Sequence, residues 1–354
     1  MKIRVLATLI ALGAMSLVPL LTTGSAVAAD DNVYLSDHDF PGASGELWKS
    51  TISALRGKKV TYVVNVTGFP LFDAWTQAIK RESELYGIDL TIQDGNWNTD
   101  AMNQAIVGAI SGKADLLIIH NADRNVFSRN IKAAQEAGIY VVQLNMNSTV
   151  NTDAFVGGDY FGMGATIAND IVKDCSPKNG KSGKIAIVQG STTASASFDQ
   201  YVAAKQVFAE HPEIQIVSDQ STGPMWATDN AKQIVSAAII QNPDLCAVYG
   251  MWDQMDLGSA AAIQESGKKD IMLYTSGGGA SEMCDLVRQG SFTKYYAYNA
   301  VRQGYDIMSI VKTLLISRPE VGKSRIALFS PIEMLSKDTL KNWSCFDSTS
   351  VRIK

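Results

Sequence analysis

Seven aromatic residues fall where apolar runs of this chain give way to polar turns: Phe69, Phe72, Trp97, Phe198, Trp226, Trp252 and Tyr298. Core rings belong inside strands and along helix faces, so rings at these points suggest another use. In a cleft, aromatic rings stack on the apolar face of a small molecule or enclose a cation. Asp123, Asn145 and Asp253 occupy the same kind of position, and their oxygens suit hydroxyl groups. This is recognition chemistry; no bond has to be made or broken.

Catalytic chemistry has little to work with. There are three histidines. His120 ends an apolar run and reads as a satisfied, partly buried side chain, while His38 and His211 lie in polar segments without an obvious partner. The glycine clusters 157-GGDYFGMGA-165 and 277-GGGAS-281 lack the spacing of phosphate loops, and no G-x-S-x-G elbow is present. The four cysteines, Cys175, Cys246, Cys284 and Cys345, fit no zinc spacing. We therefore expect no enzyme, no catalytic residue, no metal and no cofactor.

The elements that would position the rings follow a rhythm from residue 58. Apolar runs at 58–66, 88–95, 114–121 and 139–145 alternate with helix-period segments ending at Gly87, Gly112 and Gly138, as helix C-termini prefer. The rhythm pauses over 146–164, restarts with a helix at 162–174, and continues through strands at 184–190, 214–220, 247–251, 271–276 and 294–299. Continuous apolar strands separated by amphipathic helices predict parallel sheets covered on both faces. Two such series predict two α/β lobes. Ligands of open parallel sheets bind beyond the carboxyl ends of the strands, so two facing sheets would form a cleft lined by the residues above. Trp75, Ile79 and Tyr86 lie at helical spacing from Phe72 and read as core. Trp97 reads as cleft wall or as packing within its own turn, and Trp343 as tail packing.

The first 28 residues carry Lys2 and Arg4, an apolar stretch and a small-x-small site, Ala26-Val27-Ala28. They read as a cleaved signal peptide, which places the chain in the periplasm. No later apolar run suits a membrane span. The formal charge is −4, with no basic run of the kind that binds nucleic acid. In an exported chain an even set of cysteines suggests disulfides, and three pairings are possible. Cys175–Cys246 is favoured, because both would lie near the bottom of one sheet. That leaves Cys284–Cys345; buried free thiols are the other reading.

The signal segment, the two strand–helix series and the turn 67-TGFPLFDAW-75 resemble the type I periplasmic solute-binding proteins of ABC importers, above all the sugar branch of ribose- and galactose-binding proteins. Further matching stretches are 114-ADLLIIHNAD-123, 136-EAGIYVVQLN-145, 155-FVGGDYFGMGATIANDIV-172, 241-QNPDLCAVYGMWDQMDLGSAAAIQESG-267 and 271-IMLYTSGGG-279; the resemblance covers about 58–335. It implies two Rossmann-like lobes joined by a three-segment hinge. The divisions expected are a signal peptide (1–28), an N-terminal extension (29–57), an N-terminal lobe (58–157 plus about 300–328), a C-terminal lobe (158–299), and a hinge crossing with tail (329–354). It also implies a monomer that closes on a sugar and hands it to a permease and ATPase in the inner membrane. The family's ring pair falls on Leu71 and Phe72, its Asp-Arg on Asn145 and Met146, and its C-lobe arginine near Phe198, beside Asp199 and Gln200. Its later polar contacts fall on Trp252, Gly277 and Tyr298, its C-lobe ring on Trp226, and Asp253 is shared. Rings replace much of the polar grip. Loss of both arginines argues against carboxylate or phosphate ligands and for a neutral sugar or polyol. The alternatives are a quaternary amine or nucleoside in an aromatic cage, or a sensor that reports ligand to a chemoreceptor or histidine kinase.

Overall fold

A computed structural model describes residues 42–347. The signal peptide and the start of the N-terminal extension lie outside the described residues. The chain runs α1 (Ala43–Leu55), β1 (Lys59–Val64), α2 (Pro70–Tyr86), β2 (Asp89–Asp94), α3 (Thr99–Ser111), β3 (Leu116–Ile119), α4 (Ser128–Glu136), β4 (Tyr140–Leu144) and β5 (Ala154–Gly158). It continues with α5 (Tyr160–Cys175), β6 (Lys184–Gln189), α6 (Ser195–Ala209), β7 (Gln215–Ser221), α7 (Thr228–Gln241), β8 (Ala247–Gly250), α8 (Asp253–Ser266), β9 (Met272–Gly277), α9 (Ser281–Gln289) and β10 (Lys294–Ala297). It closes with α10 (Ala300–Ser317), β11 (Ile326–Ser330) and β12 (Glu333–Leu335).

The strands form two six-stranded sheets, ordered β11-β5-β4-β3-β1-β2 and β12-β10-β9-β8-β6-β7. All neighbours pair in parallel except β12, which runs antiparallel to β10. Central strands are buried along their length, as in β3 and β4, whereas the edge strand β2 is largely exposed. Its Asp and Gln alternate with Leu and Ile, as a strand covered on one face requires.

The chain crosses between the lobes three times. It leaves the first sheet after β5, returns between β10 and α10, and crosses again between β11 and β12. Helix α10 packs on α2 and on β4 and β5, and Trp75 Nε1 donates to Gln303 Oε1 at 3.0 Å between the two helices. Trp75 is fully buried and belongs to the core. Helix α1, within the N-terminal extension, packs on α10 and α2.

Three strands lie where the residues show no strand rhythm. β5 is five residues ending in two glycines, and β12 is three residues long; both are too short to show a period. β11 carries the first sheet to Ser330, so the last crossing falls at 331–332 and not from 329. The cysteines pair as Cys175–Cys246 and Cys284–Cys345. The first bridge ties the end of α5 to the start of β8, and the second ties α9 to the tail.

Candidate functional site

The carboxyl ends of both sheets meet at a small cavity of about 30 Å³, far below the roughly 300–1,000 Å³ of ligand pockets, so its walls stand nearly in contact. Its rings are Phe72 and Trp97 from the first lobe and Trp226 and Trp252 from the second, with Tyr160 and Tyr298 at two of the crossings. Asn65, His120 and Asn145 supply polar atoms, and Leu71, Met146, Ala196 and Met251 fill the remaining wall.

Trp252 is the hub. It stands directly before α8, and its ring centroid lies 6.2 Å from Phe72, 6.4 Å from Trp97 and 5.9 Å from Trp226. Phe69, next to the cavity, approaches it at 6.0 Å. The two lobes thus touch ring to ring. Edge-on and tilted contacts at these distances are favourable geometry for aromatic pairs.

Several wall residues need unusual backbone. Trp97, Asn145 and Trp226 have φ of 59°, 63° and 50°, a region costly for bulky side chains and found disproportionately at functional sites. Gly190 makes room for one of them: a Cβ there would run into the Trp226 ring.

The polar side is uncharged. His120 is 2% exposed, packs against Phe72 and Trp75 at 5.3 and 5.1 Å, and burial lowers its pKa to about 3. It is therefore a neutral imidazole, one donor and one acceptor. Neither ring nitrogen, nor the Tyr160 hydroxyl, nor Trp252 Nε1 has a hydrogen-bond partner of normal geometry. Burial also raises the Tyr160 and Tyr298 pKa values far above neutrality. Among the described residues no cluster of His, Cys, Asp or Glu is arranged to hold a metal ion.

Residues 60–319 match the model of the periplasmic binding protein domain family. The chain belongs to that family. Among this family member's relatives is the ribose import binding protein of Escherichia coli, 24% identical over 223 residues, covering 62% of this chain and 73% of that protein. Among solved structures, the Caulobacter myo-inositol binding protein bound to myo-inositol superposes with a TM-score of 0.71 at 16% identity, covering 80% of this chain and 95% of that one. A Mycobacterium smegmatis protein in complex with β-D-fucofuranose superposes with a TM-score of 0.70 at 19% identity, covering 79% and 91%. No helix among the described residues is long and apolar enough to cross a membrane.

In this binding-protein fold, six of the ten expected site residues line the cavity: Phe72, Trp97, Asn145, Trp226, Trp252 and Tyr298. Phe69 backs the rings without forming wall. Three others are elsewhere. Asp253 is 4% exposed and turned into the second lobe, where its carboxylate accepts from the Tyr295 hydroxyl at 2.7 Å and the Gln254 N–H at 2.8 Å. That carboxylate occupies the space a side chain at Gly277 would need, so the two positions must be read as a pair. Asp123 accepts from the N–H groups of Asn125 and Val126 at 2.7 and 3.0 Å and shapes its own loop. Phe198 is exposed and lies under the Arg124 guanidinium at 4.1 Å, a contact between lobes. Beside it Arg124 N–H donates to the Thr193 carbonyl at 2.9 Å, and Asn147 N–H donates to Ser195 Oγ at 2.9 Å.

Reading the sequence as core histidine missed His120. Its signal was its place one residue beyond β3, at the carboxyl end where ligands bind. Asn65, one residue beyond β1, carried the same signal, whereas Tyr160 carried none, since it lies just past an unrecognised strand.

Proposed function

We propose that this protein is the substrate-binding component of an ABC importer, exported to the periplasm by a cleaved signal peptide. It captures one small, uncharged sugar or polyol between its lobes and presents the closed form to a membrane permease and its ATPase. It acts as a monomer and performs no chemistry on the ligand. The observation that carries this reading is the cavity at the facing carboxyl ends of two sheets, walled by rings from both lobes and free of ionised side chains. The named ligands of the relatives, ribose and myo-inositol among them, support the same class.

Capture follows from the geometry. An open cleft exposes Trp252 and the Phe72–Trp97 side to water. A ligand that fills the space between them lets both surfaces be buried at once, and buried apolar area contributes about 25 cal/mol per Å². Asn145 and His120 then orient polar groups. Ligand contacts with both lobes favour the closed shape over the open one, so that shape reports occupancy.

The test is a thermal-shift screen of the mature protein against pentoses, hexoses, polyols, inositols, nucleosides and quaternary amines. Ligand at a thousand times its Kd adds about 4 kcal/mol of stability. A shift of several degrees with a sugar or polyol supports the proposal; a shift with nucleosides or amines alone contradicts its ligand class. Loss of uptake of that compound on deletion, restored by the wild-type chain, distinguishes an importer from a sensor.

A further inference from the structure

We infer that the ligand is an uncharged ring with polar groups along one edge and apolar substituents elsewhere: a deoxygenated or O-methylated sugar, or a cyclic diol. This rests on the capture reading above and specifies what is captured. Three features of the wall carry it.

The wall contains no Asp, Glu, Lys or Arg, so nothing there compensates a charge taken out of water. Asp253, the nearest acid in sequence to the ring hub, is committed to Tyr295.

The polar atoms are grouped. Asn145 neighbours both the His120 imidazole and the Tyr160 phenol, and the Tyr160 and Tyr298 ring centroids are 5.9 Å apart. His120, Asn145, Tyr160 and Tyr298 therefore form one continuous arc drawn from both lobes. Along it, the two His120 ring nitrogens and the Tyr160 hydroxyl have only Asn145 and Tyr298 as polar neighbours, and none of them in normal hydrogen-bond geometry. Buried polar groups are nearly always bonded, so these mark where ligand atoms belong.

On the remaining wall Asn65 and Trp252 Nε1 can meet a hydroxyl, and the rest is apolar. Leu71, Met146, Ala196 and Met251 present aliphatic or thioether groups, and the indoles present ring faces and edges. A hexose carries hydroxyls all round its ring, and those meeting this side lose water without replacement, each weakening binding by roughly tenfold. A quaternary ammonium suits the rings but supplies no partners for the imidazole, indole N–H and phenol together.

Calorimetric titration with matched probes tests the inference: D-galactose against its 6-deoxy form, L-mannose against its 6-deoxy form, and myo-inositol against its monomethyl ether and trans-1,2-cyclohexanediol, with choline as the cation. In at least one set the less hydroxylated member is expected to bind about tenfold tighter, and choline not to bind. His120→Ala should abolish that binding, and His120→Gln, which keeps a donor and an acceptor, should recover part of it. Equal or tighter binding of the fully hydroxylated member in every set overturns the inference, as does choline binding tightest. So does a folded protein that binds none of the probes. In those cases mass spectrometry of whatever the purified protein releases on denaturation judges the capture reading separately: a released sugar or polyol preserves it, and an unrelated molecule removes both.

Discussion

The two lobes repeat one architecture but divide the work differently. The first contributes His120, Asn65 and Asn145 to the wall, has no disulfide among its described residues, and carries Phe72 at the start of α2 and Trp97 between β2 and α3. The second contributes Trp226 and Trp252, is tied by two disulfides, and buries two acids beneath the ring hub. Asp253 and Asp256 are both at most 4% exposed. Asp256 accepts from Thr275 Oγ1 at 2.6 Å and Ser259 Oγ at 2.8 Å. Hydrogen-bonded acids and two disulfides brace the second lobe around Trp252. The lesson is that a polar residue at a strand's end can serve the site through its neighbour: Asp253 fixes the start of α8, and Trp252 one residue earlier reaches the ligand space.

This asymmetry can be broken in order of size. Replacing Cys175 and Cys246 by serine opens a loop of 71 residues, worth about 4 kcal/mol in the chain-entropy description. Calorimetric unfolding is expected to show the second lobe melting earlier, with the first unchanged; equal losses in both lobes would contradict the division. Trp252→Ala comes next. Removing the hub from a desolvated ring cluster is expected to weaken ligand binding by 2 kcal/mol or more, roughly thirtyfold, while circular dichroism stays native. Unaltered affinity would take Trp252 out of the site.

The acids give a smaller effect with a definite sign. Burial raises Asp253 and Asp256 to about 7, above the ordinary value near 4. Between those values the folded chain keeps protons that the unfolded chain has lost, so stability falls as pH rises through that window. The melting temperature is expected to drop by a few degrees from pH 5 to pH 8, and Asp256→Asn to reduce that drop; a pH dependence unchanged in the variant would refute the assignment. The smallest effect concerns the cleft edge. Phe198→Ala removes the Arg124 stacking contact, worth about 0.5–1 kcal/mol at exposed sites. It should raise Kd two- to fivefold for every ligand alike. A change in ligand preference would instead put Phe198 inside the site.

Much of this was legible in the residues. Nine strands announced themselves, the central ones as apolar runs because buried parallel strands need apolar residues on both faces, and the edge strands β2 and β7 through their β-branched residues between turns. The ring positions followed from the rule that ligands sit beyond strand ends. Direction was not legible. Trp252 and Asp253 are adjacent, yet one faces the cavity and the other the lobe interior, a choice set by the missing side chain at Gly277 and the hydroxyl of Tyr295. His120 and Tyr160 failed for a related reason: a run of residues does not tell which buried polar atoms will lack partners once the chain has folded.

The most direct measurement is the crystal structure of this protein with its bound ligand. The account expects one uncharged molecule between the lobes, hydrogen-bonded to His120 and in contact with Trp252. A molecule bound outside the cleft, or an ionised one paired with a charged side chain, would contradict it.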